Sequence, residues 1–532
     1  VSQGDAVVLG PWLAARELAG HGAPLIALAR VCAILGDGFE RAELAAVVER
    51  VERGGGATTT IDVDIGLAEL AAATILVPAG TGWAFRQALL QEGIYATTDE
   101  DERRVLHQAA LELWRTRNLG DPAVAERVAR HAEAVGELRV AARAFATLGE
   151  HAHRAHRPLD ADQAWQGAVR NLDVRDLERG RALLGRARAR YRLQRAREAL
   201  ADLDSALAIA VTLGDARFEI EVLLERATAI DWTGDYTGST AIAERAALRA
   251  AEALGPAQRA ELAPEIELAR ARIIYRQARF GDAIAPLDEV VALARAAGHR
   301  ETETIGLLML GHSLAETRQA ERAEQVFDQL LAVCEATDDG FHLGAAYSNR
   351  MILWLLTGQA ERAEADLRRV IQLGRETGHA TLERTATHNL AEQQLWQGAL
   401  DEAVNLARRG LSLQRGHGEG DAWIDELLLT RVLAARGELA EVRGLLAGLD
   451  GRDLGEDVQI IAGTLACCVA PCPPEVWADW LARAGRVLED NEDVRLELAA
   501  LAHRHHALTP DQVAAARDAA RRHPMWRRRD VF

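Results

Sequence analysis

Apolar residues recur along most of this 532-residue chain at i, i+3, i+4 and i+7, the spacing that lays one stripe along an α-helix. A short phrase punctuates the stripes seven times: Gln194–Ala199, Gly234–Ser239, Ala278–Ala283, Arg318–Ala323, Gly358–Ala363, Gly398–Ala403 and Gly437–Val442. Five of the six intervals from start to start are 39 or 40 residues, which makes the phrase a structural period. It opens most often on Gly, runs through four mostly polar residues and closes on a small one. An apolar residue follows at +4 and usually another at +7, as in Ala283, Leu287, Val290 and Ala323, Phe327, Leu330. The phrase predicts a helix–turn–helix joint, and pairs repeated at this period bury their stripes only against their neighbours. The expected fold is an all-α, right-handed superhelical solenoid, an architecture that offers a long surface to something else.

The ends of the chain depart from the period. Helical patterns occupy roughly Pro24–Leu35 and Glu40–Arg53, then Gly54–Gly56 and three threonines break the chain, and a third helix covers Ile65–Ala73. Ile75–Phe85 reads as two short strands around a Pro/Gly turn, with a helix restarting near Gln87. Three helices followed by a hairpin is the order of a winged helix. From Asp121 the chain reads as helical, and the triplets Ala141, Phe145, Leu148 and Ala161, Trp165, Ala168 mark two early, tighter pairs. Beyond about Asp450 the phrase disappears; Cys472-Pro-Pro474 breaks the chain, and helices are expected at Pro474–Glu489, Val494–His503 and Pro510–His523. The resulting organisation is a winged-helix-like domain over 1–119, a repeat array over 120–450 with roughly nine helix pairs counted in all, and degenerate repeats or a helical cap over 451–532. A solenoid needs such a cap, because its last apolar face would otherwise stay wet.

Composition narrows the chemistry. All 62 basic residues are Arg. Without lysine this segment has no Walker A loop, no kinase strand Lys and no Schiff-base amine. The Arg- and Ala-heavy usage points to a GC-rich bacterial genome. A net charge of −18 argues against broad nucleic-acid or anionic-membrane binding, although Arg521, Arg522, Arg527, Arg528 and Arg529 make the last residues basic. No apolar run approaches about 18 residues, and Val1–Leu35 lacks a basic start followed by a hydrophobic segment, so the expected location is the cytoplasm. The start at Val1 without Met fits an excised segment or a processed chain. Cys32, Cys334, Cys467, Cys468 and Cys472 are too few and too unevenly placed for a disulfide framework and read as reduced thiols.

Several motifs resemble known families. Asn349, Leu310-Gly311, and Asn389-Leu390-Ala391 with Gly398 and Ala403 resemble the signature of tetratricopeptide (TPR) repeats, whose usual period of about 34 is lengthened here. Phe85-Arg-Gln-Ala-Leu-Leu-Gln-Glu-Gly-Ile-Tyr95, followed by Glu102-Arg-Arg-Val-Leu-His107, resembles the segment that closes the winged helix in signal-transduction ATPases of the STAND class. The likeness covers about Leu25–Asn118 by motif and the remainder by architecture. It implies a nucleotide-binding module upstream, itself preceded by a Ser/Thr kinase or other effector, a winged helix acting as a regulatory joint, and repeats that sense a ligand or partner. The family's motif His is replaced by Gln87, which cannot carry charge.

No catalytic constellation, cofactor or metal site is expected. Cys467, Cys468 and Cys472 with His503, His505 and His506 lack the two-residue knuckle of structural zinc sites. Gly54–Gly56 is not followed by the Lys of a phosphate loop, and no Gly-x-Ser-x-Gly elbow occurs. The helix at Ile65–Ala73 sits where a winged helix would read DNA, yet Asp62, Asp64 and Glu69 with no Arg would repel phosphates.

The candidate site is the inner face lined by the first helix of each pair. Counting back from the phrase places Arg188, Arg272, His312 and Glu392 in one row, Tyr191, Asp231 and Tyr275 in the next, and Arg192, Trp232, Arg276, Glu316 and Trp396 in the third. Arg, Tyr and Trp dominate protein-interaction hot spots. The expected role is a non-catalytic sensor or interaction arm of a bacterial multidomain signalling ATPase or kinase, binding a protein, peptide or small-molecule partner. The ligand-sensing portion of a transcriptional activator and a stand-alone TPR scaffold are the alternatives. An upstream P-loop and kinase signature would favour the first reading, and a helix-turn-helix at either end the second.

Overall fold

The repeated phrase is a helix C-cap. Six of its seven openers, Gly234, Ala278, Arg318, Gly358, Gly398 and Gly437, lie in the left-handed region with φ between 56° and 94°. The amide of the following residue then reaches back five positions, as from Gln319 to Leu314 O (2.9 Å), Gln359 to Trp354 O (2.7 Å) and Ala399 to Gln394 O (2.9 Å). This is the Schellman bond, and Gly fills the opener most often because it adopts left-handed φ without a Cβ clash. The closing residue is where two helices cross: Ala199, Ser239, Ala283, Ala323, Ala363, Ala403 and Val442 are all fully buried. Gly311 answers the same need from the facing helix, since a Cβ there would lie 2.9 Å from the Phe327 ring.

The computed structural model describes residues 3–54, 62–193, 195–415, 422–449, 452, 454–489, 491–526 and 531–532. Gln194, the Gly55–Thr60 break and Arg527–Arg529 lie outside the described residues. The chain divides into two compact units, Val1–Leu254 and Gly255–Phe532.

Unit 1 begins with α1 (Gln3–Glu17), α2 (Ala23–Leu35), α3 (Arg41–Arg53), α4 (Val63–Ala72), a hairpin of β1 (Leu76–Ala79) and β2 (Gly82–Phe85), and α5 (Ala88–Thr97). The hairpin pairs antiparallel with Leu76 opposite Phe85. Leu28, Leu44, Leu70, Ile75, Leu90 and Ile94 form the buried centre. The sequence pattern did not predict α1, which packs along α5. Helices follow as α6 (Glu100–Trp114), α7 (Pro122–Val135), α8 (Leu138–Arg154), α9 (Pro158–Arg170), α10 (Leu177–Arg192), α11 (Ala196–Leu213), α12 (Ala216–Asp231) and α13 (Tyr236–Ala253). The early triplets fall on α8 and α9, two halves of one pair. They therefore mark one pair where two were expected.

Unit 2 contains α14 (Pro256–Arg276), α15 (Phe280–Ala297), α16 (Arg300–Glu316), α17 (Ala320–Ala336), α18 (Gly340–Leu356), α19 (Ala360–Thr377) and α20 (Ala380–Gln397). It continues through α21 (Leu400–Arg415), α22 (Trp423–Arg436), α23 (Leu439–Ala447), α24 (Glu456–Val469), α25 (Pro474–Val487), α26 (Glu492–Arg504) and α27 (Pro510–Arg522). The last three helices lie where the sequence predicts them, while α24 was not foreseen. Together the described elements form an all-α solenoid of TPR-like helical pairs. No helix among the described residues is long and apolar enough to cross a membrane.

The even-numbered helices α8–α12 in unit 1 and α14–α24 in unit 2 are the first, or A, helices of their pairs. Successive A helices approach one another directly, whereas successive B helices stay farther apart among the described residues. Each unit therefore curves with its A helices on the inner side.

Candidate functional site

Positions six, three and two residues before each opener lie near the C-terminal ends of the A helices and carry the side chains predicted to line the inner face. In unit 1 the Tyr191 and Trp232 rings stack at 6.5 Å and 26°. Tyr191 is buried beneath, while Trp232 keeps 42% of its surface exposed. Arg188 Nε donates to Glu225 Oε1 at 2.6 Å, and Arg192 Nη1 lies 3.4 Å from His153 Nδ1. Asp231 is buried next to Trp232 in the chain. The A helix below is fixed by a buried ion network: Arg186 pairs with Asp202 through two bonds of 2.9 and 2.7 Å, and Arg190 bridges Asp202 and Asp162, each at 2.9 Å. The result is an aromatic pair flanked by guanidinium groups on a rigid support.

The equivalent positions of α14 and α16 form a different cluster. Tyr275 Oη lies 2.8 Å from His312 Nδ1, and His312 Nε2 lies 3.4 Å from Glu316 Oε1. Phe280 meets both rings edge-on. Burial raises the Tyr275 phenol and lowers the His312 imidazole, the latter against the pull of Glu316. Arg272 and Arg276 stand half-buried on α14, and Glu316 is exposed.

Glu392 and Trp396 are engaged from within the chain. Trp396 Nε1 donates to Glu497 Oε2 at 3.0 Å. Arg431, at the matching inner position of α22, donates to Glu497 through Nε (3.0 Å) and Nη2 (2.7 Å) and to Glu392 through Nη1 (2.6 Å). Burial alone would lower the Arg431 guanidinium, but the two carboxylates outweigh it and raise it. Arg504 of α26 bonds the carbonyls of Ala434 and Ala435 at the end of α22. Leu496 and Ala500 cluster with Ala360, Met525 and Trp526, against which Leu355 and Trp396 pack. Thus α26 lies over the inner positions of α18, α20 and α22. Sequence reasoning missed Arg431 and Glu497, and also Arg384 and His388, which both bond the buried Asp425 at 2.9 and 2.8 Å. A signal existed: Arg384, His388, Glu392 and Trp396 recur every fourth residue and draw a polar stripe along α20.

The motif residues before the repeats pack against α7. Tyr95 Oη lies 3.1 Å from His107 Nε2, and His107 Nδ1 lies 2.9 Å from His131 Nδ1 on α7. Arg130 bonds Leu35 O, and Arg127 and Arg117 each cover the Trp114 ring. The two buried histidines resist protonation: burial, helped by Arg130, holds His107 down to about 4 and His131 well below its ordinary value. Gln87 stands exposed at the N-cap of α5. The acidic helix becomes α4, where Arg41 forks onto Asp64 with two bonds of 2.6 Å. At the C-terminal side Cys467 and Cys472 bring their thiols to 2.8 Å, while His505 stacks on Trp477.

No family model matches the sequence, and no curated protein matches it. Solved structures similar to the chain include a Signal Transduction ATPase with Numerous Domains (STAND) protein with a tetratricopeptide repeat sensor from Pyrococcus horikoshii. That match has 13% identity and a TM-score of 0.49, and it covers 89% of this chain and 66% of that one. A Rap protein complexed with competence and sporulation factor is similar at 11% identity over 71% of this chain and 97% of that one, with a TM-score of 0.44. A human IFIT1 dimer with PPP-AAAA is similar at 16% identity over 80% and 85%, with a TM-score of 0.37.

Proposed function

We propose that this chain is a non-catalytic interaction arm, in which the inner A-helix face of unit 1 receives a protein or peptide partner and relays its binding to attached domains. The observation that carries the reading is the Tyr191–Trp232 stack, with Trp232 42% exposed and Arg188 and Arg192 alongside. Large aromatic rings beside guanidinium groups, held on a pre-ordered support, combine high contact area with little conformational cost on binding.

The finer reading follows the order of the parts. A winged-helix-like region over 1–119 leads through Tyr95, His107 and His131 into the repeats, and a segment over 451–532 closes them. A buried joint of this kind suits an arm whose partner-bound state must be felt by a domain on its far side, as expected of a STAND-type signalling ATPase. Such coupling requires the partner to bind one state of the switch better than the other. The acidic surface of α4, with Asp64 already held by Arg41, favours a protein-facing over a DNA-facing role for this region.

A pull-down with the full chain as bait tests the assignment. Trp232→Ala is expected to reduce capture of the partner at least tenfold, while Trp396→Ala leaves capture by the unit 1 face intact. Undiminished capture by Trp232→Ala would reject this surface.

A further inference from the structure

Two of the five cysteines meet at the corner between α24 and α25. Cys467 lies in the last turn of α24, and Cys472 sits between Pro471 and Pro473 in the short link that leads to α25. Their sulfur atoms are 2.8 Å apart. Non-bonded heavy atoms settle at about 3.5–4.0 Å and a disulfide bond is about 2.05 Å long, so the pair stands well inside ordinary contact. Tetrahedral zinc with sulfur arms of about 2.3 Å would hold two thiolates about 3.8 Å apart, so the spacing favours a bond between the sulfurs over a shared metal. Cys468, one residue on, is turned about 100° around α24 and donates to Thr464 O at 3.6 Å, away from the pair.

The corner holds the two sulfurs in place. Pro471, Pro473 and Pro474 restrict the backbone on both sides of Cys472. Arg443 Nη2 donates to Val469 O at 2.6 Å, which ties down the start of the link, and Gly463 of α24 leaves room for the Trp480 ring of α25, which a Cβ there would strike. Access differs between the two sulfurs. Cys467 is buried in the unit 2 core, whereas Cys472 is half-buried at its edge. Burial, with the contact to Cys472 adding, pushes the Cys467 thiol up to about 12, so it keeps its proton at neutral pH. A small oxidant therefore reaches Cys472 first, with Cys467 as the buried partner that resolves it.

We propose that Cys467 and Cys472 form a reversible disulfide, a hydroperoxide-sensitive modification site that locks the α24–α25 corner. A hydroperoxide oxidises the Cys472 thiol to sulfenic acid: the sulfur takes one oxygen, the O–O bond breaks, and water or an alcohol leaves. The Cys467 sulfur then attacks the Cys472 sulfur; the S–S bond forms, the S–O bond breaks, and the Cys467 proton leaves with the hydroxyl as water. A dithiol reverses the change by exchange, becoming a disulfide itself and returning one proton to each cysteine. Oxidised, the bond closes the short Cys467–Cys472 loop and ties the end of α24 to the start of α25. Neither cysteine lies on the unit 1 inner face, so the outcome is independent of the partner-binding test.

Thiol counting on the full chain, after treatment with hydrogen peroxide, quenching and unfolding, tests the site. Of the five thiols of the reduced chain two should be lost, mass mapping should place them in a bond between 467 and 472, and dithiothreitol should restore them. Cys468→Ser should form the same bond. In Cys467→Ala, which keeps the buried position apolar, Cys472 should take up oxygen without forming a bond; in Cys472→Ser the buried Cys467 should stay reduced at the same peroxide dose. In the folded chain the amides of 467–477 should exchange roughly tenfold more slowly once oxidised. Retention of all five thiols at millimolar peroxide, a bond to Cys468 instead, or a dimer linked through Cys472 would each overturn the proposal.

Discussion

The two inner faces are built from the same repeat positions and meet different fates. In unit 1 the position two before the opener is Trp232, exposed and stacked on Tyr191; in unit 2 the same position is Trp396, bonded to Glu497 and packed against the cluster around Trp526. The repeat sets where a side chain points, whereas distant chain decides whether it is available. Equivalent positions in a solenoid are therefore not equivalent sites, and charge marks the difference here: unit 1 arrays arginines beside the tryptophan, while unit 2 buries one arginine between two glutamates.

The sharpest way to break this comparison is to remove that arginine. Arg431→Ala strands Glu392 and Glu497 and is expected to cost unit 2 about 3–5 kcal/mol in urea unfolding, the usual penalty for breaking a buried ion pair. Trp232→Ala at the exposed face should cost unit 1 less than about 1 kcal/mol. Equal losses would mean that the two faces are built alike.

Acidity should act in opposite directions on α7 and on α26. The unfolded chain protonates His107 and His131 near pH 6.5, while the folded joint resists, with His107 down to about 4. Unit 1 therefore keeps its full stability above pH 6.5 and loses up to about 1.4 kcal/mol per pH unit per histidine as pH falls from 6.5 toward 4. Asp493 has the reverse sign: burial raises its carboxyl to about 7, against the hydrogen bond from Trp526 and with Glu392, Glu492 and Glu497 adding to the rise. The folded state holds that proton, so the closure of α26 is firmest near pH 4 and weakens as pH climbs through 7, at up to about 1.4 kcal/mol per pH unit. His523, lowered by burial, offsets part of the gain below pH 6.5. Opening free energies from hydrogen exchange, corrected for the intrinsic rate at each pH, should rise with pH for α7 and fall with pH for α26.

The smallest effect concerns the joints common to both faces. Arg318 and Ala278 occupy the left-handed opener at φ 60° and 56° without being glycine. Arg318→Gly should raise the melting stability of unit 2 by up to about 1 kcal/mol, the relief of left-handed strain less the entropy that glycine adds to the unfolded chain.

Much of the repeat was legible because its causes are local. A left-handed cap and a small residue at a helix crossing act within six positions, so they leave a phrase in the sequence. Helix α24 escaped notice because it begins after a break with no phrase before it, and α1 because its partner α5 lies far along the chain. The spacing of the candidate rows has the same local origin, as the cap fixes the direction of each A helix, but Tyr191 and Asp231 of the middle row are buried where an open lining was expected. What covers the rows in unit 2 was not legible: Glu497 reaches Arg431 across 66 positions and Trp396 across 101. Only the stripe of Arg384, His388, Glu392 and Trp396 along α20 hinted that something charged would lie against it.

Oxidative footprinting of the tryptophans in the full chain, by a small reagent that enters no core, tests the contrast between the faces most directly. Trp232 should react at least severalfold faster than Trp396 in the unmodified chain, and Glu497→Gln should bring Trp396 up toward the rate of Trp232. Equal reactivity of Trp232 and Trp396 before any substitution would contradict a face that is open in unit 1 and closed by its own C-terminal helix in unit 2.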